Sequence, residues 1–189
     1  MSAPKRIAYI ACSADGFIAD RHGGVGWLEH FGTANELGFE DFVASVDALV
    51  MGRRTFDQIM SFGGTWPYGE RPTLVLTHHP LPPHAPPTTR AANEHEITQG
   101  LSDPPGLMWI VGGGETLALC LRRGLVDELQ LFQMPILLGE GIGLTGKLNH
   151  SIRINLESTT PLQRGVVKLV YSLQQAVTFG QEPGAAAHA

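Results

Sequence analysis

Short apolar runs that alternate with helix-like segments constrain this fold more than any other feature of the sequence. Runs rich in aliphatic and β-branched residues are typical of buried strands, and they occupy residues 7–12, 47–51, 73–77, 107–111 and 128–134. Helix-like patterns occupy residues 33–45, 53–60 and 116–123. Two further runs, 152–160 and 166–173, are predicted to pair as a terminal antiparallel hairpin. This order predicts an α/β fold with a mainly parallel sheet and an antiparallel edge.

The segments between these elements are interpreted as loops. Residues 13–27 contain four glycines, and residues 78–89 contain five prolines, which exclude a helix or a central strand there. Residues 90–102 show no clear pattern, and residues 135–148 are glycine-rich. We predict a single domain over residues 1–178, followed by a disordered tail over 179–189, which has little to bury.

Charge and cysteine content exclude several classes of function. The formal net charge is −5 and no long Lys/Arg run occurs, so no nucleic-acid partner is expected. No signal peptide or membrane-spanning run is recognised, and no membrane partner is expected. Cys12 and Cys120 lie in apolar runs, which is typical of reduced, buried thiols in a cytoplasmic protein. The histidine spacing fits no common metal motif, so no metal is expected.

A run of glycines at the junction between a strand and a helix is the first candidate ligand site. The strand-like run 107–111 leads into Gly112, Gly113 and Gly114, and a helix-like run follows from Thr116. Glycines without a Cβ allow a ligand to approach the backbone closely. The free N–H groups at the start of the helix favour an anion. The junction therefore indicates a phosphate site, although a glycine run can also serve only as a turn.

A second junction, over residues 51–56, has the same arrangement. A strand ends, Gly52 turns the chain, and Arg53, Arg54 and Thr55 fall in the first helical turn. Arginine offers a planar fork of donors for a phosphate, and threonine adds a hydroxyl. Two such junctions in one α/β sheet suggest a ligand with two phosphate groups. Thr77, the last residue of the strand-like run 73–77, is predicted to be a third point of contact.

Five segments, taken in order, resemble the dihydrofolate-reductase-like superfamily. Within it the chain is similar to the bacterial branch that includes the reductase domain of the bifunctional riboflavin-biosynthesis deaminase/reductase. The matching segments are residues 13–19 (SADGFIA), 51–56 (MGRRTF), 75–77 (VLT), 111–114 (VGGG) and 135–141 (PILLGEG). The resemblance implies a three-layer fold, with helices on both faces of a mixed, mostly parallel sheet and a C-terminal antiparallel hairpin.

The resemblance implies NADPH as cofactor and a homodimer as the assembly. The implied cofactor-binding residues are Ala11, Ile18, Ala19, Gly52, Arg53, Arg54, Thr55, Thr77, Val111, Gly112, Gly113, Gly114, Glu115 and Thr116. Of these, Ala11, Ile18 and Ala19 match positions beside the nicotinamide. Thr77 matches a position near the adenosine 2′-phosphate.

The resemblance also implies that four residues face the substrate: Ser13, Asp15, Trp27 and Phe42. Asp15 is the candidate catalytic group because reduction of a C=N or C=O bond needs a proton source. Asp-Gly is also a common turn pair, so a purely structural role for Asp15 stays open. The acidic residues near the first helix do not match the carboxylate that dihydrofolate reductases use.

The resemblance and the two junctions together predict an NADPH-dependent oxidoreductase that reduces a small heterocyclic or carbonyl-type substrate. Such an enzyme would resemble 5-amino-6-(5-phosphoribosylamino)uracil reductase of riboflavin biosynthesis. Two alternatives stay open: a non-catalytic NADP-binding sensor or scaffold, and a dihydrofolate reductase.

Overall fold

The computed structural model of the chain describes residues 4–33 and 35–173. Four α-helices occur in this part of the chain: α1 Phe39–Ser45, α2 Arg53–Ser61, α3 Glu94–Ser102 and α4 Gly114–Arg122. The first five strands are β1 Lys5–Ser13, β2 Phe17–Ala19, β3 Ala48–Gly52, β4 Thr73–Leu76 and β5 Thr89–Ala92. The others are β6 Leu107–Gly112, β7 Glu128–Met134, β8 Ile142–Gly143, β9 Asn155–Pro161 and β10 Val167–Ser172. Short 3₁₀ helices cover Gly26–Phe31, Asn35–Leu37 and Gln163–Gly165.

Eight strands form one sheet in the order β5-β4-β3-β6-β1-β7-β10-β9. Neighbours from β5 to β7 are parallel. The last two strands form a hairpin, in which β10 runs antiparallel to both β7 and β9. The mainly parallel sheet with an antiparallel edge is therefore confirmed.

Side chains alternate between the two faces of the sheet, and each face carries its own apolar core. Along β1, Ala8 and Cys12 enter one core and Ile7 and Tyr9 enter the other. Helices α3 and α4 cover the first core, through residues such as Ile97 and Leu117. Helices α1 and α2 cover the second core, through residues such as Phe42 and Phe56. This arrangement confirms the predicted three-layer fold.

Several predicted boundaries were wrong. The helix expected over residues 33–45 is interrupted at Gly38, whose φ of +77° is left-handed, so that α1 begins only at Phe39. The loops expected over residues 13–27 and 135–148 contain β2 and β8, which pair with each other across a long stretch of sequence. The unassigned segment 90–102 contains most of β5 and all of α3.

The predicted tail, residues 179–189, and the predicted end of the domain at residue 178 lie outside the described residues. Among the helices of residues 4–33 and 35–173, none has the length and apolar character needed to cross a membrane.

Candidate functional site

A cavity of about 1350 Å³ opens where the carboxyl ends of several parallel strands meet. The central strands β3, β6, β1 and β7 are neighbours in the sheet, and residues from all four line the cavity. The first turns of α2 and α4 close it on one side. In open α/β sheets, the carboxyl ends of the strands are the usual place for a ligand.

The two glycine junctions both line this cavity and pack directly against each other. A Cβ on Gly52 would lie 2.6 Å from Thr116 Oγ1, and a Cβ on Gly113 would lie 3.3 Å from Thr55 Oγ1. Gly113 also has a φ of +71°, which side chains rarely adopt. The glycines are therefore needed for the close packing of α2 against α4, in addition to any approach of a ligand.

Both helices begin at a glycine, Gly52 for α2 and Gly113 for α4, with no side chain of the described residues bonded as a cap. The first N–H groups of an uncapped helix are unsatisfied and favour an anion. Arg53 and Arg54 follow directly in α2. The Arg53 guanidinium already binds Asp57, at 2.8 and 2.9 Å, and donates to the Pro80 carbonyl at 3.1 Å. Arg54 is exposed.

Away from the helix starts, the cavity is lined by aromatic rings that we call the aromatic floor: Tyr9, Phe39, Trp109 and Phe132. The Tyr9 ring centroid lies 4.5 Å from that of Phe132, and the Phe39 centroid lies 5.6 Å from that of Trp109. Burial raises the pKa of Tyr9 to about 12, and its hydroxyl donates to the Leu37 carbonyl at 3.3 Å. Tyr9 is therefore a neutral phenol at physiological pH. Because Tyr9, Trp109 and Phe132 are buried, the floor gives the cavity an apolar base of which only a small ring area is exposed.

A third wall of the cavity is built from β2 and the segment around β8. Ile18 and Ala19 line it from β2, and Ile142, Gly143 and Thr145 line it from the other segment. The Gly146 N–H then donates to the Gly114 carbonyl at 2.8 Å. This hydrogen bond therefore connects the wall to the N-terminus of α4.

The structure brings most of the predicted cofactor-binding residues to the cavity. Its lining includes Ala11, Ile18, Ala19, Gly52, Arg53, Arg54, Thr55, Val111, Gly113, Gly114, Glu115 and Thr116. Gly112 is buried next to the lining, where a Cβ would lie 3.2 Å from Ile10 Cδ1. Thr77 follows β4, and its hydroxyl accepts a hydrogen bond from the His79 N–H at 3.1 Å.

The predicted substrate-facing residues are not among the described residues that line the cavity. Ser13 is fully buried, and Trp27 packs against the core that α1 and α2 cover. Phe42 stacks on Tyr9 with a centroid separation of 4.1 Å, so it supports the aromatic floor from behind. The Asp15 carboxylate accepts hydrogen bonds from the N–H groups of Leu138, at 3.1 Å, and Gly139, at 2.7 Å.

Hydrogen bonds also lower the pKa of the Asp15 carboxyl group. The bond from the Ser13 hydroxyl, followed by those from the two backbone N–H groups, holds the pKa of Asp15 below its usual range. Asp15 is therefore ionised at neutral pH and has no proton to donate there. Its role as a catalytic group remains a prediction.

Sequence reasoning missed the aromatic floor. Tyr9, Trp109 and Phe132 lie on β1, β6 and β7, whose apolar runs were interpreted only as buried strands. Alternation along β1 could have revealed Tyr9, because Tyr9 and Ala11 share a face that ends at the glycine junctions.

Other candidate groups lie elsewhere or form no site. Cys12 and Cys120 are free and buried, and burial raises their pKa values to about 11 and about 12. Both thiols are therefore protonated and poor nucleophiles. In the described part of the chain, no group of three or more His, Cys, Asp or Glu side chains is placed to hold a metal ion.

Comparisons of the sequence with known proteins point to a single protein family. The sequence profile of the RibD C-terminal domain matches residues 65–168. The uncharacterized protein YwjB of Bacillus subtilis (strain 168) is 29% identical over 166 residues, which cover 86% of this chain and 94% of YwjB.

Solved structures agree with this match. A protein from Shewanella sp. PV-4 that is named for riboflavin biosynthesis superposes with a TM-score of 0.78 and 31% identity, over 90% of this chain and 99% of its own. A pyrimidine reductase-like protein from Corynebacterium diphtheriae has a TM-score of 0.69 at 16% identity, with 92% and 93% of the two chains covered. The second likeness shows the fold alone.

Proposed function

This chain belongs to the RibD C-terminal domain family, and we propose that it is an NADPH-dependent reductase of a small heterocyclic or carbonyl-type substrate. One observation carries this proposal: two uncapped helix N-termini and an aromatic floor line the same cavity. The helix starts suit the phosphates of a dinucleotide, and the floor suits planar rings.

The residues present fit the cofactor. The N–H groups at the starts of α2 and α4 would hold the pyrophosphate, since both helices begin without a side-chain cap in the described residues. Thr55 would contact the adenosine side, and Arg54 and Thr77 would hold the 2′-phosphate. Ile18 and Ala19, on the β2 wall, would lie against the nicotinamide. The bound NADPH supplies the hydride, and the apolar floor would exclude water from the acceptor.

A non-catalytic NADP-binding sensor is the second candidate, and the distribution of carboxylates favours it. Among the described residues, the carboxylates that line the cavity are Asp57 and Glu115. Glu115 lies in the first turn of α4. Asp57 lies one turn further into α2 and is paired with Arg53. If a substrate is reduced there, its proton would therefore come from a group other than a carboxylate: water, the substrate itself or His22, which also lines the cavity.

NADPH binding to purified protein tests the proposal. We expect Arg54→Ala to lower the affinity for NADPH by about 10- to 150-fold. This factor corresponds to the ~1.5–3 kcal/mol of a charge-assisted hydrogen bond. The affinity for NADH should fall much less, because NADH lacks the 2′-phosphate. Arg53→Ala should have a smaller effect than Arg54→Ala, since Asp57 already occupies the Arg53 guanidinium. Titration calorimetry measures all of these affinities.

Arg123→Ala is the matched control because Arg123 is an exposed arginine at the far end of α4. It should bind NADPH as the wild type does. Absence of NADPH binding to folded wild type would contradict the proposal. If NADPH binds but no pterin, pyrimidine, quinone or aldehyde is reduced, the sensor becomes the better description.

The two free, buried thiols fit a reducing compartment, so the proposal places the protein in the cytoplasm.

A further inference from the structure

Asp15 joins three segments of the chain through its carboxylate. The Ser13 hydroxyl donates to Asp15 Oδ1 at 2.5 Å, and the Phe17 N–H donates to the Ser13 hydroxyl at 2.9 Å. On its other side, the carboxylate accepts from the Leu138 and Gly139 N–H groups. We call Ser13 and Asp15 the clasp. The clasp ties the end of β1 and the start of β2 to a segment more than 120 residues later.

The clasped segments continue directly into the cavity wall. Two residues after Asp15, β2 begins, and it pairs with β8 through Phe17 with Gly143 and Ala19 with Ile142. The contact between them is tight, because a Cβ on Gly141 would lie 2.2 Å from the Ala19 carbonyl oxygen. A small displacement of the later segment would therefore move the Ile18 and Ala19 wall as well.

The same segment reaches the N-terminus of α4. The Gly146 N–H donates to the Gly114 carbonyl, and a Cβ on Gly114 would lie 2.7 Å from the Gly143 carbonyl oxygen. A Cβ on Gly146 would lie 2.5 Å from the Glu115 carboxylate. Residues 142–146 therefore sit between the β2 wall and the helix start that the proposed pyrophosphate site uses.

We propose that Asp15 is a positioning residue, which acts from outside the cavity by fixing residues 138–146 between the β2 wall and α4. The inference rests on the proposed function, because NADPH is the probe that reports it. The carboxylate is not part of the cavity lining, so in this role it would touch neither cofactor nor substrate. Its charge strengthens hydrogen bonds from two backbone N–H groups, which hold both walls in the geometry for binding.

The experiment compares Asp15→Ala with Asp47→Ala. Asp47 is also an exposed carboxylate that accepts a distant backbone N–H, from Leu107 at 2.7 Å, but it lies at the other end of the strands from the cavity. Calorimetry measures NADPH affinity, thermal melting measures stability, and hydrogen exchange reports the amides of residues 17–19 and 138–146. Asp15→Asn, which keeps an acceptor oxygen without the charge, and Ser13→Ala are milder variants for use if Asp15→Ala does not fold.

We expect Asp15→Ala to weaken NADPH roughly tenfold or more, since displacement of a binding site by about 1 Å is costly. In Asp15→Ala, the amide hydrogens of residues 17–19 and 142–146 should exchange faster than in the wild type. Asp47→Ala should lose stability while its NADPH affinity stays unchanged. Asp15→Asn should fall between the wild type and Asp15→Ala.

Equal NADPH affinities for Asp15→Ala and the wild type, or equal losses in Asp15→Ala and Asp47→Ala, would overturn the inference. Failure of the wild type to bind NADPH would instead count against the proposed function. Hydrogen exchange then tests the positioning role of Asp15 by itself. Faster exchange at residues 17–19 and 142–146 in Asp15→Ala, but not in Asp47→Ala, supports that role, and unchanged exchange in Asp15→Ala refutes it.

Discussion

At the scale of single residues, the glycines of the site have a double role. The sequence indicated that Gly52 and Gly113 make room for a ligand, and the structure adds that they make room for Thr116 and Thr55. The type of residue could be predicted from the pattern at each strand end. The contact between the two junctions could not, because it depends on β3 and β6 being neighbours in the sheet.

Gly52→Ala tests this packing. Its new methyl would meet Thr116 Oγ1 at 2.6 Å, so we expect a loss of stability of about 1–3 kcal/mol, typical of overpacking. Thr116→Ala removes that oxygen, so the double variant Gly52→Ala/Thr116→Ala should recover most of the loss. Urea denaturation of the two single variants and the double variant measures the coupling. Additive losses in the double variant would contradict the proposed contact.

At the scale of elements, long-range pairing limited prediction more than local propensity. The runs at 107–111 and 128–134 match β6 and β7 closely, because apolar runs between turn residues are strong local signals. Strands β2 and β8 have three and two residues, and each exists only because the other pairs with it. Helix α3 differs: Asn93 and Glu96 form a capping box, a signal that was present in the sequence and was missed.

Asn93→Ala tests that cap. The Asn93 side chain accepts from the Glu96 N–H, and the Glu96 carboxylate accepts from the Asn93 N–H. We expect Asn93→Ala to destabilise the protein by about 0.5–2 kcal/mol, and Asn93→Ser to keep most of the stability. None of the residues of α3 lines the cavity, so NADPH affinity should not change. Thermal melting and calorimetry measure the two effects, and a lower affinity in Asn93→Ala would contradict the separation of α3 from the site.

At the scale of the whole molecule, the fold separates the proposed cofactor site from the hairpin edge of the sheet. The glycine junctions lie on the central strands β3 and β6, whereas the hairpin of β9 and β10 forms the edge of the sheet beyond β7. The order along the chain of β1, β3, β4, β6, β7 and the hairpin could be predicted from their apolar runs, whereas β2, β5 and β8 were missed. The order across the sheet required the structure, because parallel strands can be joined in several orders with the same local pattern.

The predicted homodimer is the last test, and the exposed edge of the sheet is where we expect it. Strand β9 is an edge strand, and Leu156 on it is 56% exposed, with Ile154 just before it 38% exposed. An edge strand with apolar side chains readily pairs with another chain. Leu156→Lys should therefore shift light-scattering mass from twice the chain mass toward the monomer. Phe62→Lys, at a residue that is 68% exposed and caps the C-terminus of α2, is the control and should stay dimeric. A wild type that is monomeric at all concentrations would refute the dimer, and a dimer that survives Leu156→Lys would place its interface elsewhere.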